Sequence, residues 1–260
     1  MGLSGVNIKK ALRTAQVQFP ALVEAKFAFH HRFFKSTGML YKSDYGGLRH
    51  FDLKGKLLLD VGANRGQSIV AFKNAVKSPK IIAFEPNPRL AANLVERYRG
   101  DTDISVLDLA LCAAEKEFTL HIPYYRDFML DGLASLKLEE ARDWPNAERF
   151  YFFNPRKVAI ETCHVKGRPL DSLGLHPALI KLSIQRSEIE ALSGAEETLK
   201  SSRPIIMSAW PWPALIDFLA ERGYSYYGYV GGRFVPRHRS YMNWFLLDEH
   251  SAQIPHLLAS

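Results

Sequence analysis

The stretch "LLLDVGANRGQS", from Leu57 to Ser68, decides the fold of this chain. Its apolar run ends at Val61, glycines follow at Gly62 and Gly66, and a helical pattern begins near Gln67. We therefore predict a buried strand, a tight turn and the start of a helix. Glycine lets the backbone turn sharply and lets a ligand approach closely. Because a helix start offers unpaired N–H groups, and because ligands of open α/β sheets bind at the carboxyl ends of strands, the stretch predicts a ligand-binding turn.

Seven strand-like runs alternate with helical patterns from Lys56 onward. The early runs are apolar throughout, as is typical of parallel strands that are buried on both faces. Strands that alternate with helices favour a mostly parallel sheet with helices on both faces. We therefore predict an α/β, Rossmann-like fold with a mostly parallel seven-stranded sheet. The seven runs are KLLLDVG, KIIAFEP, ISVLDLAL, ALIKLSI, RPIIMSA, YSYYGYV and NWFLLDE.

Three segments lie outside this rhythm. Residues 1–50 form a predicted N-terminal helical extension that is basic and aromatic, with Pro20 separating two helices. We expect it to cap the main domain, although a basic amphipathic helix can also make a peripheral contact with a membrane. Residues 118–165 form an inserted β and aromatic segment that is long for a connection. The predicted domains are the extension, a Rossmann-like domain over residues 51–250 and a C-terminal tail over residues 251–260.

The composition is that of an ordinary globular protein, with 47% hydrophobic and 23% charged residues among 260. The net charge of +7 suits an anionic substrate, a nucleic acid or an acidic membrane surface, but the dispersed Lys and Arg residues disfavour nucleic acid. The two cysteines form no CxxC pair, and the N-terminus lacks the apolar core of a signal peptide. We therefore expect free thiols and a cytoplasmic location. The start MGLSGV matches a myristoylation signal only weakly.

The residues of the turn narrow the choice of ligand. A dinucleotide fingerprint reads GxGxxG, whereas this turn reads GANRG, with Asn64 in place of the second glycine. Asp60 lies two residues before Gly62, where its charge would repel a diphosphate and suit a cationic amine. Glu85 follows the second strand, 19 residues beyond Gly66, where an acidic side chain can accept hydrogen bonds from ribose hydroxyls. S-adenosylmethionine fits this pattern better than a nicotinamide dinucleotide, and a plain strand–helix turn is the other interpretation.

Further motifs occur in the order found in FkbM-type methyltransferases: LLLDVGANRGQ, IIAFEPNP, LDLAL, PLDSL, LIKLSIQRSEIEALSGAEETL and NWFLLD. Over residues 50–248 the chain resembles that family. The resemblance implies a class I methyltransferase fold, S-adenosylmethionine as the cofactor and O-methylation of hydroxyls, often on sugars. It also implies roles for matched positions: Asp60, Gly62, Asn64 and Gly66 at the methionine part, Glu85 at the ribose, Asn87 near the nucleoside, and Asp108 and Ala110 beside the adenine.

The fourth-strand motif departs from the family pattern KIDVxGxE. Here it reads KLSIQRSE, so that Ser183 replaces an aspartate and Arg186 a glycine, while Lys181 and Glu188 are kept. The fifth strand ends in SAW, without the glutamate that is frequent in the family. Two acidic groups are thus missing near the expected acceptor, and we predict no metal site. A catalytically altered binding or scaffold protein is therefore the alternative to an active enzyme.

An alcohol acceptor loses a proton when it is methylated, so a general base is expected beside it. His164, at the end of the strand AIETCHV, and Glu188, after the fourth strand, are the candidates. Arg186 and Ser183 are candidate substrate contacts, since a guanidinium binds anionic groups bidentately, and Trp210 could stack on a sugar ring. Each also has a purely structural interpretation, such as a strand-end histidine, a helix-start carboxylate, a solvated arginine or a packed ring.

Together these features predict an S-adenosylmethionine-dependent O-methyltransferase that acts on a hydroxyl of a saccharide or a related small metabolite. The predicted acceptor is a small molecule or a glycan, with anionic and lipid-linked forms included. An NAD-dependent oxidoreductase is the third hypothesis. The residue at Asn64 and the lack of a YxxxK-like catalytic pair argue against it.

Overall fold

The computed structural model describes residues 7–259. The weak myristoylation-like start, residues 1–6, and the last residue of the predicted C-terminal tail lie outside the described residues. The α-helices are α1 Ile8–Gln18, α2 Pro20–Thr37, α3 Gln67–Ala75, α4 Pro88–Tyr98, α5 Leu138–Asp143, α6 Glu188–Ser193, α7 Glu196–Ser202, α8 Pro213–Ala220 and α9 Asp248–Ser251. None of the helices within residues 7–259 is long and apolar enough to cross a membrane.

The strands follow the predicted alternation with helices. They are β1 Leu57–Val61, β2 Lys80–Phe84, β3 Ile104–Leu107, β4 Leu109–Leu111, β5 Lys116–Tyr125, β6 Phe128–Met129, β7 Val158–Arg168, β8 Leu179–Leu182, β9 Ile205–Ala209, β10 Ser225–Val230, β11 Arg233–Pro236 and β12 Met242–Leu246. Short 3₁₀ helices occur between them, including Ser43–His50 before β1.

Local sequence signals explain where several helices begin. Asn7 caps α1, and its side chain accepts the backbone N–H of Lys10. Asn87 caps α4 in the same way, and Pro88 occupies the first helical position, where a missing N–H costs nothing. Gly66 precedes α3 with a left-handed φ of 82°. The strand–turn–helix reading of the opening stretch is therefore correct.

Two compact units divide the chain. The larger unit comprises Phe34–Glu117 and the described residues from Lys166 onward. The smaller unit comprises the described residues up to Phe33 and the segment Phe118–Val165. That segment is the insertion that breaks the strand–helix rhythm in the sequence. The predicted domain boundaries near residues 50 and 250 stay predictions.

The larger unit is built on a sheet with the strand order β11-β10-β12-β9-β8-β1-β2-β3. Its strands from β9 through β3 pair in parallel, whereas β12, β10 and β11 pair antiparallel. The α/β, Rossmann-like class is as predicted, but the sheet has eight strands within the described chain rather than seven. The added strand, β11, closes a hairpin with β10 through Gly231 and Gly232, which both have positive φ. Paired positive φ values favour a two-glycine hairpin turn, so the dipeptide itself was a signal for this strand.

The two faces of the large sheet carry separate hydrophobic clusters, as a sheet covered on both faces requires. Along β1, Leu58 belongs to one cluster, while Leu59 and Val61 belong to the other. The first cluster also contains the fully buried Trp244 from β12. Because side chains alternate along a strand, Asp60 shares the face of Leu58, although it carries a charge.

The smaller unit has a core of its own. Tyr125 from β5 stacks on Phe150 and Phe153, with ring centroids 5.0 Å and 5.2 Å away. The buried Val17 and Val23 join the same cluster from α1 and α2. The aromatic insertion and the N-terminal helices therefore share one core.

Candidate functional site

Five parallel strands of the larger unit end at the same edge of its sheet. The registers align Leu107, Phe84, Val61, Leu182 and Ser208 across β3, β2, β1, β8 and β9. Neighbouring strands lie about 4.8 Å apart. The residues that come next therefore form a row at this edge, which we call the strand-end row: Asp108, Glu85, Gly62, Ser183 and Ala209. Four of its five members, all except Ala209, are predicted site residues, and the sheet brings them side by side.

The turn after β1 passes very close to the loop after β8. Gly62 has a φ of +74°, and a Cβ built there would lie 2.4 Å from the backbone oxygen of Ser183. Its N–H donates to the carbonyl oxygen of Phe84 at 2.9 Å. At Gly66, with φ +82°, a Cβ would lie 2.8 Å from the side chain of Leu94. Both glycines are thus required by backbone conformation and packing, whether or not a ligand is bound.

A buried ion pair holds this turn in place. The Lys181 ammonium donates to Asp60 Oδ1 at 2.8 Å and to the carbonyl oxygens of Gly62 and Val61 at 2.9 Å and 3.3 Å. The second carboxylate oxygen of Asp60 accepts the Ser68 hydroxyl at 2.5 Å. Both charged side chains are buried. The lysine therefore neutralises Asp60 and also binds the carbonyl groups of the glycine turn.

This pairing gives Lys181 a role at the site that the sequence analysis did not assign to it. Asp60 was predicted to hold a cationic part of the cofactor, and that role stays a prediction. A ligand amine would meet a carboxylate that already has two protein donors. The available signal was the lysine inside the apolar run ALIKLSI, because a charge on a buried strand requires a partner.

Glu85 lies beside the turn at the end of β2. Its side chain is 6% exposed, and its two carboxylate oxygens accept the backbone N–H groups of Asn64 at 2.7 Å and Asn87 at 3.0 Å. Burial raises the pKa of Glu85 to about 7, while those two hydrogen bonds oppose the shift. The site thus holds a desolvated carboxylate between two backbone amides of neighbouring loops.

The other predicted cofactor residues lie on the loops after β1, β2 and β3, except Ala110, which lies on β4. The run ISVLDLAL, predicted as one strand, is therefore divided between two sheets. Asn64 has a φ of 50°, a left-handed conformation that asparagine tolerates. The Asn87 side chain is buried and caps α4 by accepting the N–H groups of Arg89 and Leu90. Asp108 is exposed between β3 and β4, and Ala110 is half-buried on β4.

The loop after β8 carries most of the predicted substrate residues. Ser183 is half-buried, and Arg186 is exposed with a φ of 70°. A left-handed backbone favours glycine, which is the residue that the family pattern has at this position. Gln185 before it also has a positive φ, of 52°. Arg186 is therefore held at a strained backbone position that presents its guanidinium to solvent.

Glu188 begins α6 directly after this loop. It is 1% exposed, and its Oε1 accepts the N–H of Ile184 at 3.3 Å. Burial raises the pKa of Glu188, while the backbone N–H groups of Glu188, Ile184 and Arg186 and the nearby Lys181 oppose the shift. Its Oε2 has no hydrogen-bond partner among the described residues. A buried carboxylate oxygen without a donor is costly, so a functional reason for it is expected.

An aromatic cluster lies beyond the end of β9. Trp210 has a φ of 51°, is 59% exposed, and packs edge-on against Tyr241 with centroids 5.7 Å apart. Burial, and then the nearby Tyr241, raise the pKa of Tyr41. The neighbouring Tyr45 is buried, and its ring centroid lies 6.5 Å from that of Tyr41. These tyrosines were not predicted, since nothing in the sequence placed residues 41–45 beside the turn.

His164, the other candidate base, lies exposed on β7 in the smaller unit. Its role stays a prediction. No group of three or more His, Cys, Asp or Glu side chains that could hold a metal ion occurs in the described part of the chain.

The model of the methyltransferase FkbM domain matches residues 60–226, which is more than half of the chain. The chain belongs to the FkbM methyltransferase family. The family predicted from the sequence is therefore confirmed, and residues 60–226 form a methyltransferase domain of that family. No curated protein matches the chain.

Several solved structures are similar to the chain at low sequence identity. An FkbM methyltransferase from Methylobacillus flagellatus is 16% identical with a TM-score of 0.45, over 74% of this chain and 43% of that one. An S-adenosylmethionine-dependent O-methyltransferase from Thermotoga maritima is 12% identical with a TM-score of 0.40, over 80% and 66%. A TehB-like methyltransferase from Corynebacterium glutamicum is 11% identical with a TM-score of 0.37, over 88% and 100%. This chain thus spans less than half the length of the FkbM structure.

The residues present fit S-adenosylmethionine at its nucleoside end. A ribose needs an acceptor for two hydroxyl groups, and the Glu85 carboxylate lies at the middle of the edge formed by β3, β2 and β1. The glycine turn on one side of Glu85 leaves no room for a side chain at Gly62, and Asp108 lies on the other side. The order along the edge corresponds to the methionine, ribose and adenine parts that the family resemblance implies.

Proposed function

We propose that this protein transfers a methyl group from S-adenosylmethionine to a hydroxyl oxygen of a saccharide or a related small metabolite. The observation that supports this most strongly is the strand-end row. In it, the ribose-type acceptor Glu85 and the glycine turn adjoin a loop that holds a buried, incompletely bonded carboxylate, Glu188.

The cofactor supplies an activated methyl group on a sulfonium, so the protein has to align the acceptor and exclude water. Glu85 binds the ribose hydroxyls in this proposal. The Lys181–Asp60 pair keeps the Gly62 carbonyl and its turn fixed, so that the cofactor meets a rigid surface. Asn64, Asn87 and Asp108 follow β1, β2 and β3 at this edge, whereas Ala110 lies on β4 in a second sheet, and we assign them the cofactor contacts that the resemblance implies.

Glu188 takes up the proton of the acceptor hydroxyl. Its Oε2 is buried and lacks a hydrogen-bond donor among the described residues, so an acceptor hydroxyl would satisfy it. A carboxylate whose pKa is raised by burial is a stronger base than one in water, which suits proton removal near neutral pH. In such a transfer the methyl–sulfur bond and the acceptor O–H bond would both break as the new C–O bond forms. The C–S electron pair would leave with the sulfur, as S-adenosylhomocysteine, and the proton would stay on Glu188.

Arg186, Ser183 and Trp210 are the proposed substrate contacts. The exposed guanidinium of Arg186 would bind an anionic group of the acceptor, and the exposed indole of Trp210 would stack on a sugar ring. Cys112 is buried and Cys163 half-buried, and both are free, which agrees with the proposed cytoplasmic location.

The test is a transfer assay with S-adenosylmethionine carrying a labelled methyl group and a panel of neutral and anionic saccharides. We expect label on an acceptor with wild-type protein and a strongly reduced rate with Glu188→Gln. Glu190→Gln is the matched control, because Glu190 lies on the same helix and pairs with Lys116 at 2.7 Å. Calorimetric titrations with S-adenosylmethionine and with NADH measure which of the two the protein binds.

Each result has a definite meaning. Cofactor binding without transfer to any acceptor would support the alternative of a binding or scaffold protein. That alternative is favoured by the two missing acidic residues, at Ser183 and at the end of the fifth strand, which reads SAW. Binding of NADH instead of S-adenosylmethionine would overturn the proposal in favour of an oxidoreductase. Equal rates in the Glu188 and Glu190 variants would remove Glu188 from the catalytic role.

A further inference from the structure

Exposed apolar side chains concentrate on the two N-terminal helices. Twelve large apolar side chains are exposed in the described chain, and six of them lie between Ile8 and Phe33. A surface with so many grouped apolar side chains marks an interaction site. We call these six residues the N-terminal apolar surface: Ile8, Leu12, Phe19, Leu22, Phe29 and Phe33.

On α1 the exposed apolar residues form one stripe. Ile8 and Leu12 follow the i, i+4 spacing of a single helix face and are 71% and 60% exposed, and the exposed Phe19 follows directly at the C-cap. The helix packs through its other side. There the Lys10 ammonium lies 4.5 Å from the centroid of the Tyr151 ring, and Val17 is buried. Packing within the smaller unit therefore does not explain the exposed stripe.

On α2 the same arrangement recurs. Leu22, Phe29 and Phe33 follow an i, i+7, i+11 spacing on one face, and Phe29 and Phe33 stack with centroids 6.0 Å apart. Val23 and Phe27 lie on another side of the helix and pack into the core around Tyr125. Both helices thus use one side for the core and expose a second apolar side.

Basic residues accompany these stripes. Residues 7–37 contain six Lys or Arg residues and one glutamate, a net charge of +5 out of +7 for the whole chain. Five of the six cations are exposed: Lys9, Arg13, Lys26, Arg32 and Lys35. Most of the excess positive charge of this protein therefore lies on the two helices that also expose its apolar side chains.

We propose that these helices bind the surface of a bilayer that contains anionic phospholipids. The apolar surface enters the boundary between head groups and acyl chains, while the flanking Lys and Arg side chains bind the phosphates. A second copy of the chain would bring +5 against +5, which opposes self-association through this surface. A purely electrostatic partner would not require the exposed Phe, Leu and Ile side chains.

Vesicle sedimentation with the full chain tests this proposal. The vesicles contain phosphatidylcholine alone or phosphatidylcholine with phosphatidylglycerol. We expect the protein to bind the anionic vesicles, to bind less at high salt, and to stay in solution with phosphatidylcholine alone. Leu12→Glu and Phe29→Glu should each weaken binding about tenfold or more, because a charged side chain replaces an apolar one that would be inserted.

Val95→Glu is the matched control, since Val95 is 50% exposed but lies on α4 in the larger unit. Circular dichroism and S-adenosylmethionine binding confirm that each variant is folded. The proposal is overturned if anionic vesicles do not bind the protein, or if Val95→Glu weakens binding as much as Phe29→Glu. A dimer in solution that Phe29→Glu dissociates would also overturn it. Vesicle binding does not depend on methyl transfer, so this result and that of the transfer assay are independent.

Discussion

Replacing Glu85 by glutamine removes a charge from the strand-end row but keeps the size of the side chain. A hydrogen bond to a charged acceptor contributes about 1.5–3 kcal/mol, against about 1 kcal/mol for a neutral one. If two ribose hydroxyls donate to this carboxylate, the substitution costs roughly 1–4 kcal/mol of binding free energy. That corresponds to about a 5- to 1,000-fold loss of affinity for S-adenosylmethionine.

The same carboxylate makes binding depend on pH. Burial raises the pKa of Glu85 to about 7, and the ionised form is the stronger acceptor for two hydroxyls, because protonation turns one of its oxygens into a donor. Affinity should therefore fall as the pH drops through about 7, and this dependence should disappear in Glu85→Gln. The stability of the folded protein should depend on pH in the opposite direction. Because the folded-state pKa lies above the ordinary glutamate value of 4.5, stability should fall as the pH rises from 4.5 to about 7 and then level off.

Calorimetric titration with S-adenosylmethionine at pH 6 and pH 8 measures both effects. Glu96→Gln serves as the control, because Glu96 is an exposed carboxylate on α4 that pairs with Arg99. The reasoning is refuted if folded Glu85→Gln binds the cofactor as tightly as the wild type at pH 8. In that case Glu85 would serve only to hold the N–H groups of Asn64 and Asn87.

Three further substitutions test the geometry of the site by denaturant unfolding. Gly62→Ala should cost at least about 2 kcal/mol, since its Cβ would collide with a backbone oxygen at 2.4 Å, whereas Gly55→Ala, with positive φ in open space, should cost about 1 kcal/mol. Lys181→Met leaves the buried Asp60 carboxylate unpaired and should cost about 3–5 kcal/mol, of which adding Asp60→Asn recovers a part. Arg186→Gly should stabilise by about 1 kcal/mol while weakening binding of anionic acceptors. Equal losses of stability in the two glycine variants would contradict the argument about Gly62. The argument about the ion pair fails if the losses from Lys181→Met and Asp60→Asn simply add in the double variant. The argument about Arg186 fails if Arg186→Gly is less stable than the wild type.

The order of elements was predictable because each depends on near neighbours in the chain. The apolar run before Gly62 forms β1, and the helix that begins at Gln67 follows it as expected. The insertion at residues 118–165 was visible as a break in that pattern. β11 was missed because four residues are too few to give a clear periodicity.

The sequence by itself determined the strand, glycine turn and helix of the cofactor site, and with them the family. Only the tertiary structure decided what the charged residues do there. Asp60 and Lys181 are 121 residues apart and meet because β1 and β8 are neighbours in the sheet. Glu188 was already a candidate base from its place after the fourth strand, but only folding buries its carboxylate and leaves one oxygen without a donor among the described residues. Spacing along the chain sets local conformation, whereas pairing and desolvation depend on which strands fold side by side.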